Sequence, residues 1–143
     1  MKTLNKKELK NLILNGITTE ELKGYNYSHI TDMSDMFYSC KSLTSIPELD
    51  TSNVIIMSEM FTHCTSLTSI PELNTSNVIN MNRMFSGCTS LISVPYLDTA
   101  KVKYTYCMFY GCTNIEHCFY DSRINYNESN STKLKQKHPE YFI

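Results

Sequence analysis

Met57-Ser-Glu-Met60-Phe61-Thr-His-Cys64-Thr-Ser-Leu67-Thr-Ser-Ile70-Pro71-Glu-Leu73-Asn74-Thr75-Ser76-Asn77-Val78 is the stretch on which the fold turns. Shifted by 24 residues in either direction, it nearly reproduces itself. Met36, Met60, Met84 and Met108 fall in register, as do Phe37, Phe61, Phe85 and Phe109. Cys40, Cys64, Cys88 and Cys112 keep the same step, and so do Leu43, Leu67, Leu91 and Ile115. A period of this length predicts a solenoid, in which each unit is a coil that cannot bury its apolar face alone.

Within a unit, Met33, Met36, Phe37 and Cys40 occupy i, i+3, i+4 and i+7. That spacing predicts about two helical turns per coil, too short to persist without neighbours. Asp32 and Asn80 precede two of these stretches and suit N-caps, whereas Ile56 and Tyr104 hold the place elsewhere. After the cysteine the spacing changes to Leu43-x-x-Ile46-x-x-Leu49, which predicts a brief parallel strand bending into a corner. Pro47, Pro71 and Pro95 fix that corner and lack a donor for further pairing. Asp50, Asn74 and Asp98 then open short polar runs whose side chains close a turn on nearby backbone. The expected class is α/β, with short parallel strands, short helices and helical caps at both ends.

The ends need covers because terminal coils expose apolar faces. Residues 5–15 predict a helix ending at Gly16, and Thr18-x-x-Glu21 is a capping-box signature for a second. The expected organisation is an N-terminal cap over 1–27, repeats over 28–118 and a C-terminal cap over 119–143. Within that last cap, 121–132 reads as polar loop and Ser131 to His138 as a final helix.

Composition narrows the partners. Residues 25–100 carry seven acidic groups against Lys41 and Arg83, while each end is mildly basic. A nucleic-acid backbone demands a basic stripe, so nucleic acid is not the expected partner and a protein is. The only early apolar run, Leu12-Ile13-Leu14, is too short for a leader core, and no transmembrane stretch occurs. The reading is a cytoplasmic chain with no membrane association. In-register cysteines would stand about 4.8 Å apart between coils. A disulfide brings Cβ atoms to about 3.8 Å with a fixed torsion, so buried reduced thiols are expected. Cys107-x₄-Cys112-x₄-His117-Cys118 is the one dense metal-like cluster, but two of its members lie at ladder or core positions. No metal, cofactor or catalytic residue is assigned. A Ca²⁺ ladder on Asp50, Asn74 and Asp98 is outweighed by turn closure.

The run Met-Phe-x-x-Cys-x-Ser-Leu-Thr-Ser-Ile-Pro, followed by Asp-Thr-Ser-Asn-Val, resembles the BspA-like leucine-rich repeat family. Its Phe-x-x-Cys-x-x-Leu-x-x-Ile core is similar to treponemal-type leucine-rich repeats. The resemblance spans roughly residues 28–118 and implies a curved leucine-rich-repeat solenoid. It supplies no catalytic residues. Many members are secreted or lipid-anchored adhesins. The short, leaderless form of this chain points instead to an intracellular inhibitor or adaptor of one protein target, encoded by a phage or mobile element. A surface-adhesin fragment is the alternative.

Outward positions that differ between units are the candidate recognition residues. Thr44 and Thr68 give way to Ile92, and Glu48 and Glu72 to Tyr96. Tyr104 and Tyr106 replace smaller residues, and Tyr110 and Tyr120 complete a cluster of five tyrosines within 25 residues. Such a cluster either anchors an interface or packs beneath the C-terminal cap. Asp35, Glu48, Glu59 and Glu72 line the earlier coils, so the candidate surface grades from acidic to aromatic. Coil edges at both ends also allow a homodimer through the C-terminal coil.

Overall fold

The structure is a computed structural model and describes residues 1–119, 121–124 and 132–142. The expected loop over 121–132 lies mostly outside the described residues, as does Tyr120. Strand β1 (Lys2–Thr3) leads into helix α1 (Lys6–Leu14), then α2 (Thr19–Leu22) and strand β2 (Tyr25–Asn26). β1 and β2 pair in parallel. Asn5 and Glu8 form a reciprocal capping box at α1, and Thr18 and Glu21 do the same at α2. Each box satisfies two of the amide donors that a helix start leaves open. Gly16 follows α1 at φ +86°, a left-handed turn that glycine enters without steric cost. Leu9, Ile13 and Leu22 are buried from these elements into the core.

From Ile30 onward, consecutive units lie side by side. Single parallel bridges join Asp32 to Ile56, Ile56 to Asn80, and Asn80 to Tyr104. The Phe37, Phe61, Phe85 and Phe109 rings stack at centroid spacings of 5.6, 5.5 and 5.4 Å, nearly parallel. Methionines, leucines, isoleucines and valines at repeated positions fill the space around this pile.

The helical turns expected after Met33 are absent; the segment is a chain of turns. Met36 N–H donates to Met33 O and Cys40 N–H to Phe37 O, three residues back rather than four. Between them, Asp35, Phe37 and Ser39 send their N–H groups across to Ser58, Met60 and Thr62 of the next unit. Asp35 and Ser39 reach this geometry with φ of +58° and +56°. A helix keeps its N–H groups for itself, and two turns of one are unstable. The turn chain holds the same i, i+3, i+4, i+7 face while giving alternate donors to the neighbour. The expected N-caps Asp32 and Asn80 accordingly close two-residue turns, accepting from Ser34 N–H and Asn82 N–H at 2.8 and 2.9 Å.

The expected strand over Leu43–Leu49 is likewise irregular. Among the described residues, pairing there is confined to the Ser93–His117 bridge and a few bonds such as Glu116 N–H to Ile92 O. The recurring prolines withhold the donors that a longer ladder needs.

Buried polar groups follow the same repeat. Cys64, Cys88 and Cys112 each donate Sγ–H to the carbonyl of Phe37, Phe61 and Phe85, all at 3.0 Å. Burial pushes the Cys64 and Cys88 thiols up to about 12, and that of Cys112 well above its ordinary value. Thr51 and Thr75 hydroxyls donate to Asn74 O and Asp98 O in the following unit. Among the described residues, no buried side-chain nitrogen or oxygen lacks a partner.

At the far end, Phe119 meets Phe109 edge-on at 6.4 Å, closing the pile. Arg123, held by Asp121 at 2.6 Å, donates to the carbonyls of Thr99 and Val102. Ile124 N–H returns to Asp121 O as Val102 N–H does to Thr99 O, and Ile124 is buried. Helix α3 (Thr132–Lys137) buries Leu134, and a 3₁₀ turn follows over Pro139–Phe142. Lys133 and Lys137 pin this cap to Glu116 at 2.9 and 3.2 Å.

Candidate interaction surface

Each outward position is one column of the repeat, so the geometry of a column is that of its backbone. Tyr96 follows Pro95 in the column of Glu48 and Glu72. Its side chain is 74% exposed. Tyr104 holds the bridge position after Asn80, and Tyr106 lies two residues on, where Ser34, Ser58 and Asn82 precede it. Tyr106 is 66% exposed, and Tyr104 and Tyr110 are each more than half exposed. Ile92 is also exposed. Among the described residues at the C-terminal end, Cys118, Phe119, Ile124, Leu134, Tyr141 and Phe142 pack in or against the core. Tyr96, Tyr104, Tyr106 and Tyr110, the described members of the cluster, therefore face outward, not beneath the cap.

The candidates divide into two groups. Tyr104, Tyr106 and Tyr110 share the turn chain with the column Asp35, Glu59, Arg83 and Cys107. Every member of that column has positive φ, from +49° to +58°. Ile92 and Tyr96 belong with Glu48 and Glu72 on the extended half of the unit. Tyr104 lies 12 residues, half a unit, beyond Ile92. One flat patch holding all nine candidates is not what the backbone builds.

Two supporting residues lay outside the sequence-based set. Arg83 Cζ lies 5.8 Å from the centre of the Tyr106 ring, within cation–π reach. Asn82 Oδ1 accepts the Tyr106 N–H at 2.7 Å, fixing the backbone from which that ring projects. The signal for Arg83 was its sign: it is the one base in a column otherwise acidic or neutral.

Two of the residues weighed for metal or thiol chemistry are engaged elsewhere. Cys112 is buried and bonded to Phe85 O, and Lys137 Nζ stands 3.1 Å from His117 Nε2. Among the described residues, no group of three or more His, Cys, Asp or Glu is set to hold a metal ion. Asp50, Asn74 and Asp98 accept from the amides of Ser52, Ser76 and Ala100 at 3.1, 3.1 and 2.9 Å. The Ser52 hydroxyl also bonds Asp50, and these bonds hold its carboxyl below the usual range. These side chains close turns.

The repeat that builds both groups also decides the family. Residues 7–122 match the family described as Mycoplasma protein of unknown function, DUF285. The chain belongs to DUF285. The match takes in the four turn chains, both groups of candidates and Asp121 at the closing end. No curated protein and no solved structure matches this DUF285 chain. No helix among its described residues is long and apolar enough to cross a membrane.

Proposed function

We propose that this chain is a capped leucine-rich-repeat solenoid of the BspA-like type that binds one protein partner and carries no enzymatic activity. The observation that carries the reading is the outward set Tyr104, Tyr106 and Tyr110, with Arg83 behind Tyr106. Tyrosine and arginine are the residue types that dominate interface energetics, and here they are solvent-facing on backbone fixed by the stack. Unit-to-unit bridges and the phenylalanine pile support the solenoid. The thiol ladder, bonded and free of disulfides, supports a reducing compartment such as the cytoplasm. An inhibitor or adaptor fits this surface, since occupying a partner needs complementarity and no reacting group.

The test is capture of partners on the immobilised chain, beside Tyr104→Ala/Tyr106→Ala and Ile92→Ala/Tyr96→Ala double variants checked for fold. A partner bound about 30-fold more weakly by the first variant alone, the effect of one hot spot, supports the turn-side surface. Loss with the second alone moves the site to the extended side. A partner retained equally by both, or no partner at all, overturns the assignment.

A further inference from the structure

Two of the chain's four histidines meet where the C-terminal cap docks. His117 belongs to the last unit, and Ser93 pairs with it from the unit before. His138 follows helix α3 in the cap, and the two rings stand edge to face with centroids 6.3 Å apart. Lys137 Nζ reaches from the cap to within 3.1 Å of His117 Nε2 and 3.2 Å of the Glu116 carboxylate. A lysine ammonium offers donors only, so the first contact is a hydrogen bond only while Nε2 carries no proton. The docked cap therefore selects a neutral His117 with its proton on Nδ1.

We infer that this junction is an acid-released latch, in which protonation of His117 sets it against Lys137 and frees residues 132–142 from the last unit. Histidine changes charge between about pH 5 and 8. A protonated His117 presents an N–H to the ammonium beside it, and a hydrogen bond becomes a contact between like charges. The carboxylate next to this contact, Glu116, is already shared by Lys133 and Lys137. Their bonds hold its carboxyl below the usual range, so it stays ionised while the histidine titrates. The cap also sets His138 against His117, and Glu140 meets His138 Nδ1 at 3.2 Å. Burial raises the Tyr141 hydroxyl, so the ring stacked on His138 at 4.6 Å brings no charge. Cys118, the next residue in the chain, brings a free thiol.

The released state takes up the proton that the docked contact excludes. Docking is therefore whole above the histidine range and is lost as pH falls through it. Leu134 is the fully buried anchor of the cap, with Tyr141 and Phe142 packed on the same core. Release uncovers that apolar end. The units stay joined, because neutral backbone, hydroxyl and thiol bonds hold them.

Amide hydrogen exchange on the full chain at about pH 7.5 and about pH 5.5, corrected for the intrinsic pH dependence of exchange, tests the latch. The amides of His138 and Tyr141, which bond Leu134 O and His138 O, report the cap, and those of Met57 and Met81 report the units. At the lower pH, cap protection should fall about threefold to tenfold, the worth of one hydrogen bond, while the units keep theirs. His117→Gln keeps an acceptor for Lys137 but takes no proton, so its acid step should vanish. Unchanged cap protection in the native chain overturns the inference, as does an equal fall at Met57 and Met81. An acid step of native size in His117→Gln also overturns it and moves the titration to another group, such as His138. Lys137→Met removes the opposing cation; its cap should be weaker at both pH values and lose most of the acid step. Lys137 is half exposed, so this variant leaves the units intact and decides if His117→Gln misfolds. A full acid step in Lys137→Met overturns the latch.

Discussion

Gly87 and Gly111 hold the same position in consecutive units, at φ +74° and +77°. Alanine at either meets the same left-handed penalty, about 1–2 kcal/mol. Their surroundings differ. Among the described residues, a Cβ on Gly111 would meet nothing nearer than Gly87 Cα and N, both at the ordinary contact distance of 3.5 Å. A Cβ on Gly87 would stand 2.3 Å from His63 Nδ1 and 2.9 Å from its Cε1. The exposed imidazole must then turn away and give up its edge contact with Tyr38, now at 6.0 Å. That displacement adds about 0.5–1.5 kcal/mol. Gly111→Ala should therefore cost about 1–2 kcal/mol and Gly87→Ala about 1.5–3.5 kcal/mol. For a chain of this size that is a gap in melting temperature of a few degrees. The decisive measurement is a double-mutant cycle by denaturant unfolding. Removing the ring with His63→Ala should bring the cost of Gly87→Ala down to the backbone penalty alone, a coupling of about 0.5–1.5 kcal/mol. Zero coupling, with Gly87→Ala no worse than Gly111→Ala, would refute the packing of His63 over Gly87.

Four further outcomes are expected. Phe61→Ala opens a hole between two stacked rings in a fully buried column, and unfolding should register a loss of about 3–5 kcal/mol. Cys64 and Cys88 are neutral in the folded chain up to about 12 but titrate near 9 once unfolded. The folded state thus binds more protons between those values, so the stability from these thiols is whole below pH 9 and is lost as pH rises toward 12. A thiol reagent at neutral pH should correspondingly modify Cys40, Cys107 and Cys118 first, with Cys64, Cys88 and Cys112 reacting only on unfolding; prompt reaction of all six would contradict the ladder. Arg123→Ala leaves the Thr99 and Val102 carbonyls uncovered and should cost about 1–2 kcal/mol, the guanidinium being half exposed. Amide exchange of the last unit, rather than the first, should accelerate.

The interior columns were legible because burial repeats with the sequence: Met36, Phe37, Leu43 and Val54 are inside, as their counterparts are in later units. The conformation between them was not. A helix and a chain of four-residue turns place side chains on the same face. Only left-handed backbone at Asp35 and Ser39 separates the two, and glycine marks just Gly87 and Gly111 among eight such positions. The outward tyrosines could be read as different from their columns, but not as exposed. That depended on Phe119, Tyr141 and Phe142 taking the space against the core, far along the chain where the repeat has decayed. Arg83 and Tyr106 become neighbours only through the register of adjacent units, which pairs Arg83 N–H with Tyr106 O.

The ladders of Cys64, Cys88 and Cys112, and of Thr51 and Thr75, have a consequence for heredity. Each bond joins a unit to the one beside it, and the partner is the same chemical group every time. Excise one whole unit and Cys88 would meet Phe37 O where Cys64 did, with nothing inside left unmatched. Unequal recombination between near-identical gene segments would thus yield shorter or longer descendants with intact interiors, whereas gaining or losing a single codon would throw every later column out of phase. Length is the trait this architecture leaves free to drift, while the two ends, which have no counterpart to recombine with, stay fixed.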